Sequence, residues 1–90
     1  SAASDVYKRQ LNNLAVVYAA RGENQNAGEL FQRLVRLYPE QAEATCNLAL
    51  FLLDQGKTNE AISVIQKIPP EKIPPSVLQR FSASSEGHPN

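Results

Sequence analysis

The chain carries the stretch NLALFLLDQGKTNEAISVIQK at residues 47–67 and a related one, NLAVVYAARGENQNAGELFQR, at residues 13–33. Each stretch reads as two short amphipathic helices joined at a glycine. Every position in residues 47–67 lies 34 residues after its counterpart in residues 13–33, and the residue is identical in the pairs Leu14/Leu48, Ala15/Ala49, Gly22/Gly56, Ala27/Ala61 and Gln32/Gln66. A fixed period with helix–glycine–helix content is typical of a stacked helical array.

Length and charge limit the classes of function. Ninety residues allow one small domain, and nine basic against nine acidic residues give a formal net charge of zero. That balance removes the electrostatic attraction on which most nucleic-acid binding rests, so no nucleic-acid partner is expected. The longest apolar run, residues 48–53, is too short to span a membrane. The inventory of one cysteine and one histidine predicts no metal site, no cofactor and no catalytic group.

The first ten residues, SAASDVYKRQ, have no counterpart in the repeat. They resemble the translation of a transposase adapter used in preparing sequencing libraries. We therefore expect residues 1–10 to be an artefactual segment, with the biological chain visible from Leu11 onward and with further repeats upstream of it.

The first helix pair is expected within residues 11–41. Gly22 should end its first helix, because glycine adopts the left-handed C-cap conformation without cost, and Pro39 should end its second. Asparagines at 24 and 26 are candidate N-caps of the second helix. The apolar stripe of the first helix has the spacing i, i+3, i+4, i+7 and consists of Leu11, Leu14, Ala15 and Tyr18.

The second helix pair is expected within residues 42–70. Its first helix should run over residues 42–54, and Thr58 is predicted as the N-cap of its second helix, which Pro69 and Pro70 should end early. Residues 71–84 then predict a connector and a short capping helix, with Val77, Leu78 and Phe81 on one side. Residues 85–90 predict a disordered tail.

These residues resemble the tetratricopeptide repeat family. The first unit matches the family pattern with Leu11, Leu14, Ala15, Tyr18, Ala27, Phe31, Leu34 and Pro39, and the second with Leu48, Ala49, Gly56 and Ala61. The second unit departs from it at Thr45, Leu52 and Ile65, where the family has a large residue, tyrosine and an aromatic residue. The resemblance implies an all-α fold: a helix-turn-helix solenoid of two repeats plus a short C-terminal capping helix.

The resemblance also implies a concave groove, lined by the first helix of each pair, that binds a peptide or docks a partner domain. One variant of this groove clamps a C-terminal carboxylate with lysine, arginine and asparagine side chains. Two of its positions hold Asn12 and Val16 here, with no lysine, and no third repeat supplies the remaining basic pair, which disfavours that variant. Asn13 and Asn47 occupy the same repeat position, at which some arrays use an asparagine ladder to bind peptide backbone. The alternative is that these amides only bond their neighbours.

Leu50 and Leu53 fall on or near the groove face by the family geometry. They predict either an apolar patch that contacts a ligand side chain, or a surface that is covered by the short capping helix or by a missing neighbour. Cys46 is better explained as a small buried residue than as a reactive thiol. The candidate peptide-binding residues are therefore Asn13, Asn47 and Leu50.

The sequence favours a non-catalytic protein–protein interaction scaffold with a protein or peptide partner. Two alternatives stay open at this point. The chain could be the repeat arm of a larger enzyme, such as a transferase, whose catalytic domain lies upstream. It could also be a structural or self-association module.

Overall fold

The computed structural model describes the backbone of residues 2–86 and the side chains of residues 3–83. Over these residues the chain forms helices and no strand, which confirms the all-α prediction. The five helices are α1 (Ala2–Ala20), α2 (Asn24–Leu37), α3 (Ala42–Asp54), α4 (Thr58–Ile65) and α5 (Pro75–Glu86). A single 3₁₀ turn, Pro70–Lys72, connects α4 to α5.

The two repeat units end their first helices with the same hydrogen bonds. After α1, the Glu23 amide donates to the Tyr18 carbonyl (2.9 Å), and after α3 the Lys57 amide donates to the Leu52 carbonyl (2.9 Å). Gly22 and Gly56 lie between these donors and acceptors with φ values of 79° and 80°. This is the Schellman arrangement, in which a left-handed residue satisfies the last carbonyls of a helix. The glycine at each turn is therefore required by the backbone conformation.

Helices α1 and α2 form an antiparallel hairpin. The hydroxyl of Tyr38, directly after α2, donates to the backbone carbonyl of Ser4 near the start of α1 (3.3 Å). Helices α3 and α4 form the second hairpin, and α2 packs between the two first helices, α1 and α3. α4 has 8 residues against 14 in α2, in agreement with the early stop predicted at the prolines.

The core consists of two clusters of buried side chains. The larger cluster joins the two hairpins through Leu11, Ala15, Ala27, Phe31, Leu34, Ala44, Leu48, Leu52, Leu53 and Ala61. The smaller cluster joins α3 and α4 to the connector and α5 through Cys46, Ala49, Ile65, Ile68, Ile73 and Val77. The short helix α5 thus covers the far side of the second hairpin.

Four sequence predictions about individual residues were wrong. The N-cap of α2 is Glu23 instead of Asn24 or Asn26, which both lie inside the helix, and it makes no side-chain capping bond. Leu14, expected in the buried stripe of α1, is 43% exposed, because no helix packs on its side of α1 in this structure. Thr58 is the first residue of α4, and the N-cap position is taken by Lys57, without a side-chain capping bond. Leu78 is exposed, although its neighbour Val77 is buried, since the two side chains point about 100° apart on α5.

Both predicted terminal segments contribute residues to helices. Residues 2–10 of the adapter-like segment form the first part of α1, which continues without a break into the first repeat. Helix α5 includes residues 85 and 86, the first two of the predicted tail. The remainder of that tail, residues 87–90, lies outside the described residues.

Candidate functional site

A cleft of about 430 Å³ lies between α1 and α3, the first helices of the two hairpins. Leu34 of α2, 1% exposed, and Ala44 of α3 form its apolar floor. Polar and charged side chains surround this floor: Asp5, Lys8, Arg9 and Asn12 from α1, and Glu43 and Asn47 from α3. Because α2 packs against both helices, it holds α1 and α3 apart at the spacing that leaves this cleft open.

A hydrogen bond between two asparagines crosses the cleft. The Asn47 side-chain amide donates through Nδ2 to Oδ1 of Asn12, at 2.7 Å. This bond uses one N–H group of Asn47, and no other described residue pairs with its second N–H or its Oδ1. The arrangement fixes the direction of both amides, since Asn12 must present its oxygen to the donor.

Asn13 is not brought together with Asn47. Asn13 is exposed and is not among the residues that line the cleft, because it lies about 100° further round α1 than Asn12. The residue that meets Asn47 is 35 positions earlier instead of 34. A side chain on α3 faces back toward α1, so it meets a residue at a different position in the repeat. The sequence signal for this pair is therefore the dipeptide Asn12-Asn13, of which only the first residue faces the cleft.

The charged rim of the cleft depends mainly on the first ten residues. The ammonium group of Lys8 hydrogen-bonds to the Gln41 side-chain oxygen and lies 3.9 Å from a carboxylate oxygen of Glu43. Asp5, Lys8 and Arg9 all belong to the adapter-like segment. The asparagine pair and the apolar floor lie outside this segment.

Leu50 lies about 60° round α3 from Asn47, next to α5 and outside the cleft between α1 and α3. It is half-buried, packs against the smaller core cluster, and lines a second cleft with Val77 and Arg80. Leu53 is buried at 9% exposure in the larger cluster and lines neither this cleft nor the cleft between α1 and α3. Of the two readings for these leucines, the structure places Leu53 in the core and leaves Leu50 partly accessible beside α5.

Cys46 is buried in the smaller cluster at 4% exposure. Burial raises the pKa of its thiol, and the neighbouring Glu43 carboxylate raises the pKa further. Both effects disfavour the thiolate, which is the reactive form of cysteine. Cys46 therefore acts as a small apolar residue at neutral pH.

Two other kinds of site are absent from the residues that the structure describes. No group of three or more histidine, cysteine, aspartate or glutamate side chains is placed to hold a metal ion within that part of the chain. None of the described helices combines the length and the apolar character needed to cross a bilayer.

Comparison with known proteins identifies the architecture. The sequence profile of the tetratricopeptide repeat family matches residues 18–74, more than half of the chain. The matched region begins near the end of α1 and includes α2, α3, α4 and the 3₁₀ turn. No curated protein sequence matches this chain.

Proposed function

The chain belongs to the tetratricopeptide repeat family, and from this premise we propose that it is a non-catalytic module that binds a peptide in the cleft between α1 and α3. Repeats of this family generally mediate protein–protein interaction. The single observation that supports the cleft as the binding site is the Asn47–Asn12 pair above the apolar floor of Leu34 and Ala44.

The size and lining of the cleft suit part of an extended peptide. Its volume of about 430 Å³ lies in the range of pockets that bind small ligands, roughly 300–1,000 Å³. An apolar floor with a few oriented polar groups is the usual composition of such sites. One apolar side chain of a ligand would pack on Leu34 and Ala44, and its flanking peptide groups would reach the asparagines.

Asn47 supplies the polar recognition. Its second N–H and its Oδ1 offer one donor and one acceptor, which is what a single peptide unit needs. Because the bond to Asn12 already fixes the amide, little side-chain entropy is lost when a peptide binds. Leu50, three residues along α3 from Asn47, would contact a second ligand side chain where the peptide leaves the cleft toward α5. Asn13 faces away from the cleft and makes no contact with the ligand in this arrangement.

The test starts from a peptide selected from a random library against the 90-residue protein, with affinity measured by fluorescence anisotropy. Removing a hydrogen bond that contributes about 1–1.5 kcal/mol should weaken binding roughly tenfold in Asn47→Ala and in Asn12→Ala. The matched control is Asn59→Ala, an exposed asparagine on α4 outside the cleft, which should bind as the wild type does.

Two results would contradict the proposal. One is equal affinity of the wild type, Asn12→Ala and Asn47→Ala for every selected peptide. The other is a loss in Asn13→Ala that exceeds the loss in Asn47→Ala, because this would place the ligand on the other side of α1.

A further inference from the structure

A groove of about 520 Å³ lies between α2 and α4, and it shares no lining residue with the cleft between α1 and α3. Its floor is the side of α3 that carries Thr45 and Leu48, each of which is 7% exposed. Ala44 and Asn47 of the same helix line the cleft instead. The two cavities therefore lie on different sides of α3, and we call this one the α2–α4 groove.

Two departures of the second repeat unit from the first open the α2–α4 groove. The start of α4 lies 34 residues after the start of α2, but its end lies only 28 residues after the end of α2. Because Pro69 and Pro70 cannot continue a helix, α4 lacks more than one turn that α2 has, and Ile68 and Pro69 line the groove after it. On the floor, Thr45 stands at the repeat position of Leu11 and has a smaller side chain. Both departures leave space in the same groove.

The lining of the groove is mostly apolar, with three charged side chains. Seven of the eleven lining residues are apolar, and the charged ones are Glu40 after α2, Lys67 after α4 and Lys72 in the 3₁₀ turn. Neither lysine forms an ion pair with another residue whose side chain the structure describes. Arg36 and Glu71 are close in sequence but do not line the groove, and counting them leaves the excess of one positive charge unchanged.

We propose that the α2–α4 groove binds a segment of a partner protein in which a large apolar side chain is flanked by carboxylates. The apolar side chain packs on Thr45 and Leu48, and its burial supplies most of the affinity. A carboxylate beside it pairs with Lys67 or Lys72, which fixes the orientation of the segment and favours an acidic partner over a basic one. This second binding surface does not depend on the peptide site between α1 and α3.

The experiment uses two libraries of displayed peptides as probes. Every peptide has one fixed leucine, and the flanking positions are randomised among aspartate, glutamate, serine and glutamine in the acidic library and among lysine, arginine, serine and glutamine in the basic library. Both libraries are selected against the 90-residue protein. The affinity of each enriched peptide is then measured by fluorescence anisotropy with the wild type and with four variants, each checked for folding by circular dichroism.

The four variants separate the groove from the rest of the surface. Lys67→Glu replaces an attraction by a repulsion and should weaken binding of the acidic peptides about tenfold. The matched control is Arg33→Glu, because Arg33 is also exposed and stands at the same repeat position without lining the groove; it should change the affinity less than about twofold. Thr45→Leu restores the larger residue of the first unit, fills the floor and should weaken binding about tenfold. Asn47→Ala should leave the affinity unchanged, since Asn47 lines the other cavity.

The proposal fails if the acidic library yields no peptide with this pattern, or if the basic library yields the peptides that Thr45→Leu weakens. It also fails if Arg33→Glu weakens binding as much as Lys67→Glu does, because the attraction would then come from the general charge of the chain. A loss in Asn47→Ala without a loss in Lys67→Glu would place the acidic peptides in the cleft between α1 and α3. A 90-residue protein that sediments as a dimer and becomes a monomer with Lys67→Glu would place a second copy in the groove instead.

Discussion

Replacing Leu48 or Leu14 by alanine removes the same atoms from the same position of two repeat units. Leu48 is 7% exposed in the larger core cluster, so Leu48→Ala should leave a cavity and destabilise the fold by roughly 2–5 kcal/mol. Leu14 is 43% exposed and borders solvent, so no closed cavity forms. Since full burial of a leucine is worth about 1.5–3 kcal/mol, Leu14→Ala should cost about 1 kcal/mol or less.

Urea unfolding at constant temperature, followed by circular dichroism at 222 nm, measures both losses. With a slope of about 1–3 kcal/mol per molar urea, Leu48→Ala should lower the midpoint by about 1–2 M and Leu14→Ala by a few tenths of that. A domain of this length has roughly 5–13 kcal/mol of stability, so Leu48→Ala could leave little folded protein. Leu48→Val, which removes one methylene and costs about 1 kcal/mol, keeps the comparison measurable.

The reasoning would be refuted by a loss under about half a kcal/mol in Leu48→Ala, or by equal losses in the two alanine variants. Either result would mean that α2 does not cover α3 as the structure has it. The difference between the two sites comes only from the neighbouring helix, because the residue, the helix type and the repeat position are shared.

Other substitutions test separate parts of the structure. Gly56→Ala should cost about 1–2 kcal/mol from the left-handed backbone alone, since no atom lies within 4 Å of the added methyl group; thermal unfolding checks this. Arg80→Ala should change stability by less than about 1 kcal/mol, because its ion pair with Asp54 is exposed to solvent; the urea midpoint would show a larger effect. Deleting residues 76–90 should expose the smaller cluster and promote association in sedimentation experiments, whereas an unchanged monomer would exclude a capping role for α5. The buried Cys46 thiol should contribute fully to the free energy of unfolding below the ordinary thiol pKa of about 8.5, and this contribution should be lost as the pH rises through the raised pKa. The urea midpoint of the wild type should therefore fall more between about pH 8 and pH 10 than the midpoint of Cys46→Ala.

In the candidate site, the repeat position of a residue does not by itself determine the contacts of its side chain. Asn13 and Asn47 share a position and a residue type, which predicts one role for both. In the structure Asn47 bonds to Asn12 across the cleft, while Asn13 faces away from it. Equivalent positions in a repeat have equivalent surroundings only when both neighbours are present, and the first hairpin has a neighbour on one side. The pairing of Asn47 is thus a property of the packed array.

What the sequence determined by itself is the local structure and its period. Apolar spacing, glycines at the left-handed C-caps and prolines after the helices each act over a few residues, and together they predicted both hairpins and the early end of α4. The tertiary structure alone decided which side of each helix is covered. Leu14 and Leu48 are indistinguishable by sequence pattern, and only the packing of α2 against α3 separates them. Burial depends on groups far apart along the chain, so a local pattern can mark an apolar face but cannot say which partner covers it.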